Sequence, residues 1–217
     1  MTILIIGAGG MGRDVMDAVE KNGTYRIDGF IDDTIPVGSD ISGYKILGTI
    51  ADLAKIAKDI DKGIIAIGDN WQRGKVARKI KNASKTFHFV NVIHPSACIA
   101  RNAQIGDGAI LLAESIVSSN AIMGKHTLLH IGSMLGHDSK LGNYGCMLPG
   151  SKVGGNVRIG EYSSIGIGAT LIHGITIGNH SFIGAGAIVI SNIPSNVVAY
   201  GVPAIAARNR RKSEKHL

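Results

Sequence analysis

From Ile99 onward every sixth residue is aliphatic: Ile105, Leu111, Val117, Met123, Leu129, Leu135, Leu141, Met147, Val153, Ile159, Ile165, Leu171, Ile177, Ile183 and Val189 follow without a break. The residue four places after each is mostly small, as at Ala109, Ser115, Ser133, Ser139, Ser151, Ser163 and Ser181. Glycine often comes directly after the aliphatic residue, as at Gly106, Gly124, Gly136, Gly142, Gly154, Gly160 and Gly178. A period of six fits neither a helix nor an isolated strand. It fits a triangular solenoid in which each hexad is one short flat face and one corner, with the aliphatic side chain inside and the small residue at the corner. Glycine near the corner is expected to take backbone angles that a Cβ forbids. Three hexads close one coil, so residues 18 apart stack at strand spacing, ~4.8 Å. Thirty glycines beside four Phe, five Tyr and one Trp suit such an aliphatic, repetitive interior.

The first ninety residues follow a different rule. The apolar run ILII at 3–6 leads into Gly7-Ala8-Gly9-Gly10-Met11-Gly12 and an amphipathic stretch to about Lys21. RIDGFIDD at 26–33 reads as a second strand ending in Asp32 and Asp33. A helix is expected near 50–60, a strand at 64–70, a helix at 71–82, and a further extended segment, FHFVNVIH, at 87–94. Alternating strands and helices imply a parallel sheet. Gly7, Gly9 and Gly12 satisfy G-x-G-x-x-G, and Asp32 lies twenty residues beyond Gly12. About ninety residues suffice for one mononucleotide-binding half and not for two. A nucleotide or nucleotide sugar, a dinucleotide, and a turn without ligand all remain open for this loop. The expected division is residues 1–91, a Rossmann-like nucleotide-sugar-binding domain, and residues 92–217, the solenoid with a cap and a basic tail.

The formal charge of +7 is concentrated in the tail, where Arg208, Arg210, Arg211, Lys212 and Lys215 fall in the last ten positions. Sparse aromatics argue against a base-stacking surface, so nucleic acid is not expected as a partner. Cys98 and Cys146 are too few for a disulfide framework or a multi-cysteine zinc site, and no metal is expected. No signal peptide or membrane-spanning run is seen, and the expected location is cytoplasmic.

The hexad run resembles the hexapeptide-repeat acyltransferases. The combination of IIGAGGMG, FIDD and AIGDNWQR, joined through VIHPSACIA to the repeat, resembles one branch: sugar acetyltransferases that N-acetylate nucleotide-linked 4-amino sugars, with relatives that O-acetylate sialic acid. The resemblance covers about residues 3–205. It implies an α/β N-terminal domain plus an all-β, left-handed parallel β-helix, acetyl-CoA as cosubstrate, and a homotrimer with active sites between subunits. It implies acceptor contacts from Gly9, Gly10, Asp32, Asp33 and Gly68. Met11 stands where the family often carries a histidine close to the sugar. His130 falls where relatives often carry an asparagine, and contact with the thiol or the acceptor is open for it. Cys146, Ile167 and Ala185 fall at positions that line the CoA groove in relatives. The ending YGVPAIAAR resembles the signature after the last coil, with Val202 and Pro203 closing the prism and Arg208, Arg210 and Arg211 either near CoA phosphates or in a solvated tail.

Acetyl transfer needs a base for the attacking amine or hydroxyl and donors for the charge developing on the thioester oxygen. Eight histidines are candidates: His88, His94, His126, His130, His137, His173, His180 and His216. His137 is singled out because Asp138 follows it, and a carboxylate on the far ring nitrogen fixes the tautomer and raises basicity. The family motif places a His followed by an acidic residue at this spot. Stacking puts Gly155 one coil beyond His137, where backbone can approach a thioester and an N–H can serve the oxyanion, and His173 one coil further. His94, before Pro95, reads as structural. An O-acetyltransferase acting on sialic acid, and a non-catalytic nucleotide-sugar-binding trimer, are the rival readings.

Overall fold

A computed structural model describes residues 1–215, so His216 lies outside the described residues. In the N-terminal part, β1 (Thr2–Ile6), β2 (Arg26–Ile31), β3 (Asp40–Ile41), β4 (Tyr44–Gly48), β5 (Lys62–Ile65) and β6 (His88–Phe89) form one sheet in the order β3-β4-β2-β1-β5-β6. All pairs are parallel except the β3–β4 hairpin. Ile3, Leu4, Ile5 and Ile6 of the central strand are at most 1% exposed, which explains their continuous apolar run: both faces of β1 are covered. The helix α1 (Gly10–Asn22) buries Val15, Ala18 and Val19 on one face, and α3 (Asn70–Ala83) buries Val76, Ala77 and Ile80 on the other.

Two expectations are corrected here. The segment 50–60 is a 3₁₀ turn, Ile50–Asp52, and a single helical turn, α2 (Leu53–Ile56). Its continuation closes as tight turns, with Lys58 N–H donating to Lys55 O and Asp59 N–H to Ile56 O. The extended segment 87–94 is divided between the domains. Val90 N–H donates to Gly63 O in the N-terminal sheet, whereas β7 (Val92–Ile93) opens the solenoid, Val92 N–H donating to Ala109 O.

Seventeen two-residue strands, from β7 to β23 (Ile188–Val189), build three parallel sheets of a triangular prism, with pairs such as Leu111↔Leu129 stacked 18 residues apart. The hexad aliphatics point inward, and Leu111, Leu129, Leu135, Leu141, Met147, Val153 and Ile165 are fully buried. The glycines after them have ordinary φ; they permit close stacking, since a Cβ on Gly136 would sit 2.3 Å from Gly154 O. Positive φ falls two residues later, at Asp138, Tyr144, Asn156, Tyr162 and His180 and at glycines such as Gly108, Gly150 and Gly168, so corner glycines do take these angles, but at that position and not directly after the aliphatic residue.

The three outer faces differ in character. On the covered face, Val92, Ile110, Leu128, Cys146, Ser164 and Phe182 are buried, most of them beneath the N-terminal domain. The polar face carries Gln104, Lys140, Arg158 and Thr176, with one exposed isoleucine, Ile122. The third face carries exposed Ile116 and Ile188 with Met134, interrupted by exposed Lys152 and Thr170, and exposed Ile131, Ile167, Ile172 and Ile190 stand on its two corners, which makes it the most apolar of the exposed faces.

The corner between the polar and covered faces bears a ladder of rings. His126, Tyr144, Tyr162 and His180 stack with centroids 5.2, 4.6 and 5.0 Å apart and planes within 14°. Burial, reinforced by the Arg73 guanidinium, pushes the His126 pKa down from 6.5 to about 4. As pH falls from 6.5 towards 4, the unfolded chain therefore binds a proton that the folded chain refuses, and stability drops by up to ~3 kcal/mol. His126→Phe, which keeps a stacked ring without a titrating nitrogen, is expected to flatten the melting temperature across that interval in thermal unfolding. An unchanged slope would assign the acid sensitivity elsewhere.

Beyond the last coil, β24 (Val197–Gly201) and β25 (Ala204–Asn209) form an antiparallel hairpin. Ala199 and Ala204 close the open end of the prism. Val202 and Pro203 do not: they form the hairpin tip, with Val202 71% exposed. Arg208 donates to Glu214 Oε1 at 2.6 Å, and Arg210 lies buried near the Phe182 ring, donating to His180 O. Both are occupied within the cap.

Candidate active site

Two groups of residues stand at different places on the molecule. The first is a cavity of about 560 Å³ at the carboxyl ends of β1, β2 and β5, where a parallel sheet presents its loops. Gly9, Gly10, Met11, Asp32, Asp33 and Gly68 all line it, with apolar walls from Ile31, Ile50, Ile67 and Val76 and an amide from Gln72. Gly12 lets the loop fold tightly onto the helix, because a Cβ there would lie 2.2 Å from Gly7 O. The first turn of α1 leaves N–H groups unpaired at the cavity, a setting that favours phosphate.

Asp32 has both oxygens engaged: Oδ2 accepts from Ala8 N–H at 2.8 Å, and Oδ1 from the Thr34 N–H and hydroxyl. Burial would raise its pKa, but these hydrogen bonds and that from Ile35 outweigh it and hold the carboxyl below the usual range. Asp32 therefore shapes the loop, while Asp33, which accepts from Ile50 N–H through Oδ1, is exposed at the rim.

The second group is on the corner between the apolar and polar faces. His137 Nδ1 lies 2.8 Å from Asp138 Oδ2, and Asn120, one coil before, donates to Asp138 Oδ1 at 3.1 Å. These two bonds hold the Asp138 carboxyl below its usual pKa, so it is an ionised acceptor for Nδ1–H. Nε2 is then left with its lone pair. The ring lies over Gly155: a Cβ there would be 2.3 Å from His137 Nε2. Only glycine leaves room for the imidazole at this level. The Gly155 N–H donates to no other group among the described residues. A base with a fixed tautomer and a free backbone donor are thus placed one coil apart, as acyl transfer requires. His173 follows, exposed, one coil below Gly155.

His130 is on the other corner of the apolar face, half-buried and facing Asp14 of α1. Burial lowers its pKa, and the Ile131 N–H donates to Nδ1 at 2.9 Å. Neutral His130 consequently carries its proton on Nε2 and is a donor, not a base. Ile167 and Ala185, exposed one coil apart, share this corner. Cys146 does not line any groove. It belongs to another register, stacked between Leu128 and Ser164 on the covered face, and is fully buried against Arg73 with its pKa raised to about 11 by desolvation. His94 is held by Ser96, whose hydroxyl lies 2.7 Å from Nδ1. Sequence reasoning missed Arg73, Asn70 and Asn120. A step of 18 from His126 meets a ring at 144, 162 and 180, a signal that would have exposed the ladder against which α3 packs.

Residues 2–80 match the PglD N-terminal domain, and residues 156–191 match the bacterial transferase hexapeptide (six repeats). The solved structure of PerB from Caulobacter crescentus, in complex with CoA and GDP-perosamine, is 30% identical with a TM-score of 0.90, over 96% of this chain and 98% of that one. The chain belongs to the hexapeptide-repeat sugar acetyltransferases. The acetyltransferase domain of PglB from Neisseria gonorrhoeae FA1090, in complex with acetyl coenzyme A, is likewise 30% identical, with a TM-score of 0.88 over 95% and 98% of the two chains. The UDP-N-acetylbacillosamine N-acetyltransferase of Bacillus subtilis (strain 168) is 29% identical over 116 residues, a match that spans 51% of each chain, about half the length of that curated relative. The N-terminal cavity lies within the first match, and the His137 corner lies in the solenoid just before the second.

Proposed function

We propose that this protein is an acetyl-CoA-dependent N-acetyltransferase that acetylates the amino group of a nucleotide-linked 4-amino sugar for surface glycan biosynthesis, in the cytoplasm where acetyl-CoA is made. The observation that carries this reading is the His137 imidazole, fixed by Asp138 and lying over Gly155, whose N–H has no partner among the described residues. His137 Nε2 takes the proton from the attacking amine as the new C–N bond forms. The Gly155 N–H steadies the negative charge developing on the carbonyl oxygen. The C–S bond then breaks, and His137 returns the proton to the leaving thiolate, so no acyl-enzyme is formed. Cys146 supports this absence, since burial keeps it a neutral thiol. The glycine-loop cavity takes the nucleotide: N–H groups for phosphate, apolar walls for the base, and Asp33 for hydroxyl or amino donors.

The working unit is a homotrimer. One face of the prism is covered by the N-terminal domain and another is polar, which leaves the isoleucine-bearing face for association. Packing that face around a three-fold axis brings the His137 corner of each prism against the His130 corner of the next. The base then meets Ile167 and Ala185, and α1 with its cavity, on a neighbouring subunit.

The test is thiol release from acetyl-CoA with candidate acceptors. UDP-, GDP- or dTDP-linked 4-amino sugars are expected to give far higher kcat/KM than free sialic acid, which has no diphosphate for the loop. Gly10→Val and Asp33→Ala should raise the acceptor KM and leave the acetyl-CoA KM alone. A Cβ at Gly10 meets nothing within 4 Å, so the added atoms enter the cavity without straining the fold. Comparable turnover of free sialic acid, or kinetics indifferent to both substitutions, would favour O-acetylation instead.

A further inference from the structure

The ladder corner leaves four carbonyls that the next coil does not take, and each is met by a side chain. Arg73 Nε donates to His126 O at 2.8 Å and Nη2 to Tyr144 O at 3.2 Å. Asn70 Nδ2 donates to Tyr162 O at 2.6 Å, and Arg210 Nη1 to His180 O at 3.1 Å. Arg73 differs from the other two in what its remaining nitrogen does. Nη1 donates to Ile67 O at 2.7 Å and to Gly68 O at 2.9 Å, both in the loop that walls the glycine-loop cavity. The side chain is 0% exposed, and among the described residues it makes no ion pair with a carboxylate. A buried guanidinium set among four carbonyls, with the Cys146 thiol also against it, is held by geometry, and its planar fork spans acceptors that an ammonium cannot span together.

We propose that Arg73 is a positioning residue for the acceptor: it clamps the Ile67–Gly68 wall of the cavity to the ladder carbonyls of the β-helix, and so sets where the bound sugar nucleotide sits relative to the catalytic corner. This rests on the acceptor reading above. Asn70 provides the internal comparison. It joins the same two domains through Tyr162 O and Ser164 Oγ, yet among the described residues its side chain makes no bond to the cavity wall. Loss of a merely structural tie lowers stability whichever residue is changed. Loss of the clamp also lets the wall shift, and a displacement of about 1 Å is enough to penalise a bound substrate severely.

The experiment compares full-length wild type, Arg73→Lys, Asn70→Ala and Gly10→Val, with both substrates varied and melting temperature recorded. Arg73→Lys is expected to raise the acceptor KM on the order of tenfold, with the acetyl-CoA KM unchanged. Asn70→Ala should lower the melting temperature to a similar extent and leave the acceptor KM within about twofold. Should the lysine variant not fold, Arg73→Gln, which retains amide donors, is judged by the same criterion. An acceptor KM that follows melting temperature alike in the Arg73 and Asn70 variants, or an acetyl-CoA KM that rises in parallel, overturns the clamp. If Gly10→Val also leaves the acceptor KM unmoved, it is the cavity assignment that fails. If Gly10→Val raises it and the Arg73 variant does not, only the clamp is wrong.

Discussion

His137→Ala is expected to lower kcat by roughly 10² to 10⁴-fold, the usual loss when a positioned general base is removed, while CoA binding stays near that of the wild type. The imidazole is a surface side chain, 62% exposed, so its removal leaves no cavity in the prism and folding should be unaffected. Two further substitutions separate the base from its setting. Asp138→Asn keeps the base but weakens the bond that orients it, and should cost less than His137→Ala. Gly155→Ala leaves both residues in place, yet its Cβ would fall 2.3 Å from Nε2 and must push the ring aside. A fall in kcat in that variant would show that position, not only identity, matters. Rapid-mixing and steady-state assays of thiol release read all three, with calorimetry for CoA affinity. Wild-type kcat in His137→Ala would assign the base elsewhere. His130 would not be the natural successor, since its Nδ1 accepts from Ile131 N–H and its Nε2 carries the proton.

The solenoid was legible because a period of six leaves an unambiguous trace when every sixth side chain must fill the same interior. The same regularity hid the corners. Glycine is frequent after each inward aliphatic, which suggested special dihedrals, whereas the stacking of backbone on backbone is what excludes a side chain at Gly136. Left-handed residues stand at the next corner position, where glycine alternates with Asp, Tyr, Asn and His, among them Asp138, whose turn directs its carboxylate back to His137. Local pairs were readable in this way because their geometry is set by one or two residues. Contacts between domains were not. Arg73 reads in sequence as an ordinary basic residue on a polar helix, and only the docking of α3 onto the ladder turns it inward to four carbonyls. Cys146 was misplaced for a related reason: faces repeat every 18 residues, and position 146 shares its register with 128 and 164, not with 167 and 185. Which face the N-terminal domain covers is a tertiary fact, and it decides that this cysteine is sealed.

Breaking the isoleucine-bearing face is expected to abolish turnover even though no substituted residue touches substrate chemistry. Ile116→Lys with Met134→Lys stacks two new cations beside the native Lys152, so three like charges lie on adjacent coils that remain solvated in a monomer and would be stranded together in an interface. Light scattering should then move from about three times the chain mass of 22.7 kDa to the single-chain value, and activity should fall to background. A monomer that retains wild-type kcat would show the site to be complete within one chain. A mixing experiment tests the same geometry without dissociating anything. His137→Ala subunits keep an intact cavity, and Gly10→Val subunits keep an intact base. Every mixed trimer then contains one junction at which a good base meets a good cavity, whichever way round the ring is read. Equal random mixing makes three quarters of the trimers mixed, each with one working site of three, so about one quarter of wild-type activity should return at subsaturating acceptor. Sites built within single chains would give no recovery at all, because every chain carries one of the two lesions. The size of the recovery therefore reports whether His137 of one subunit serves the cavity of the next.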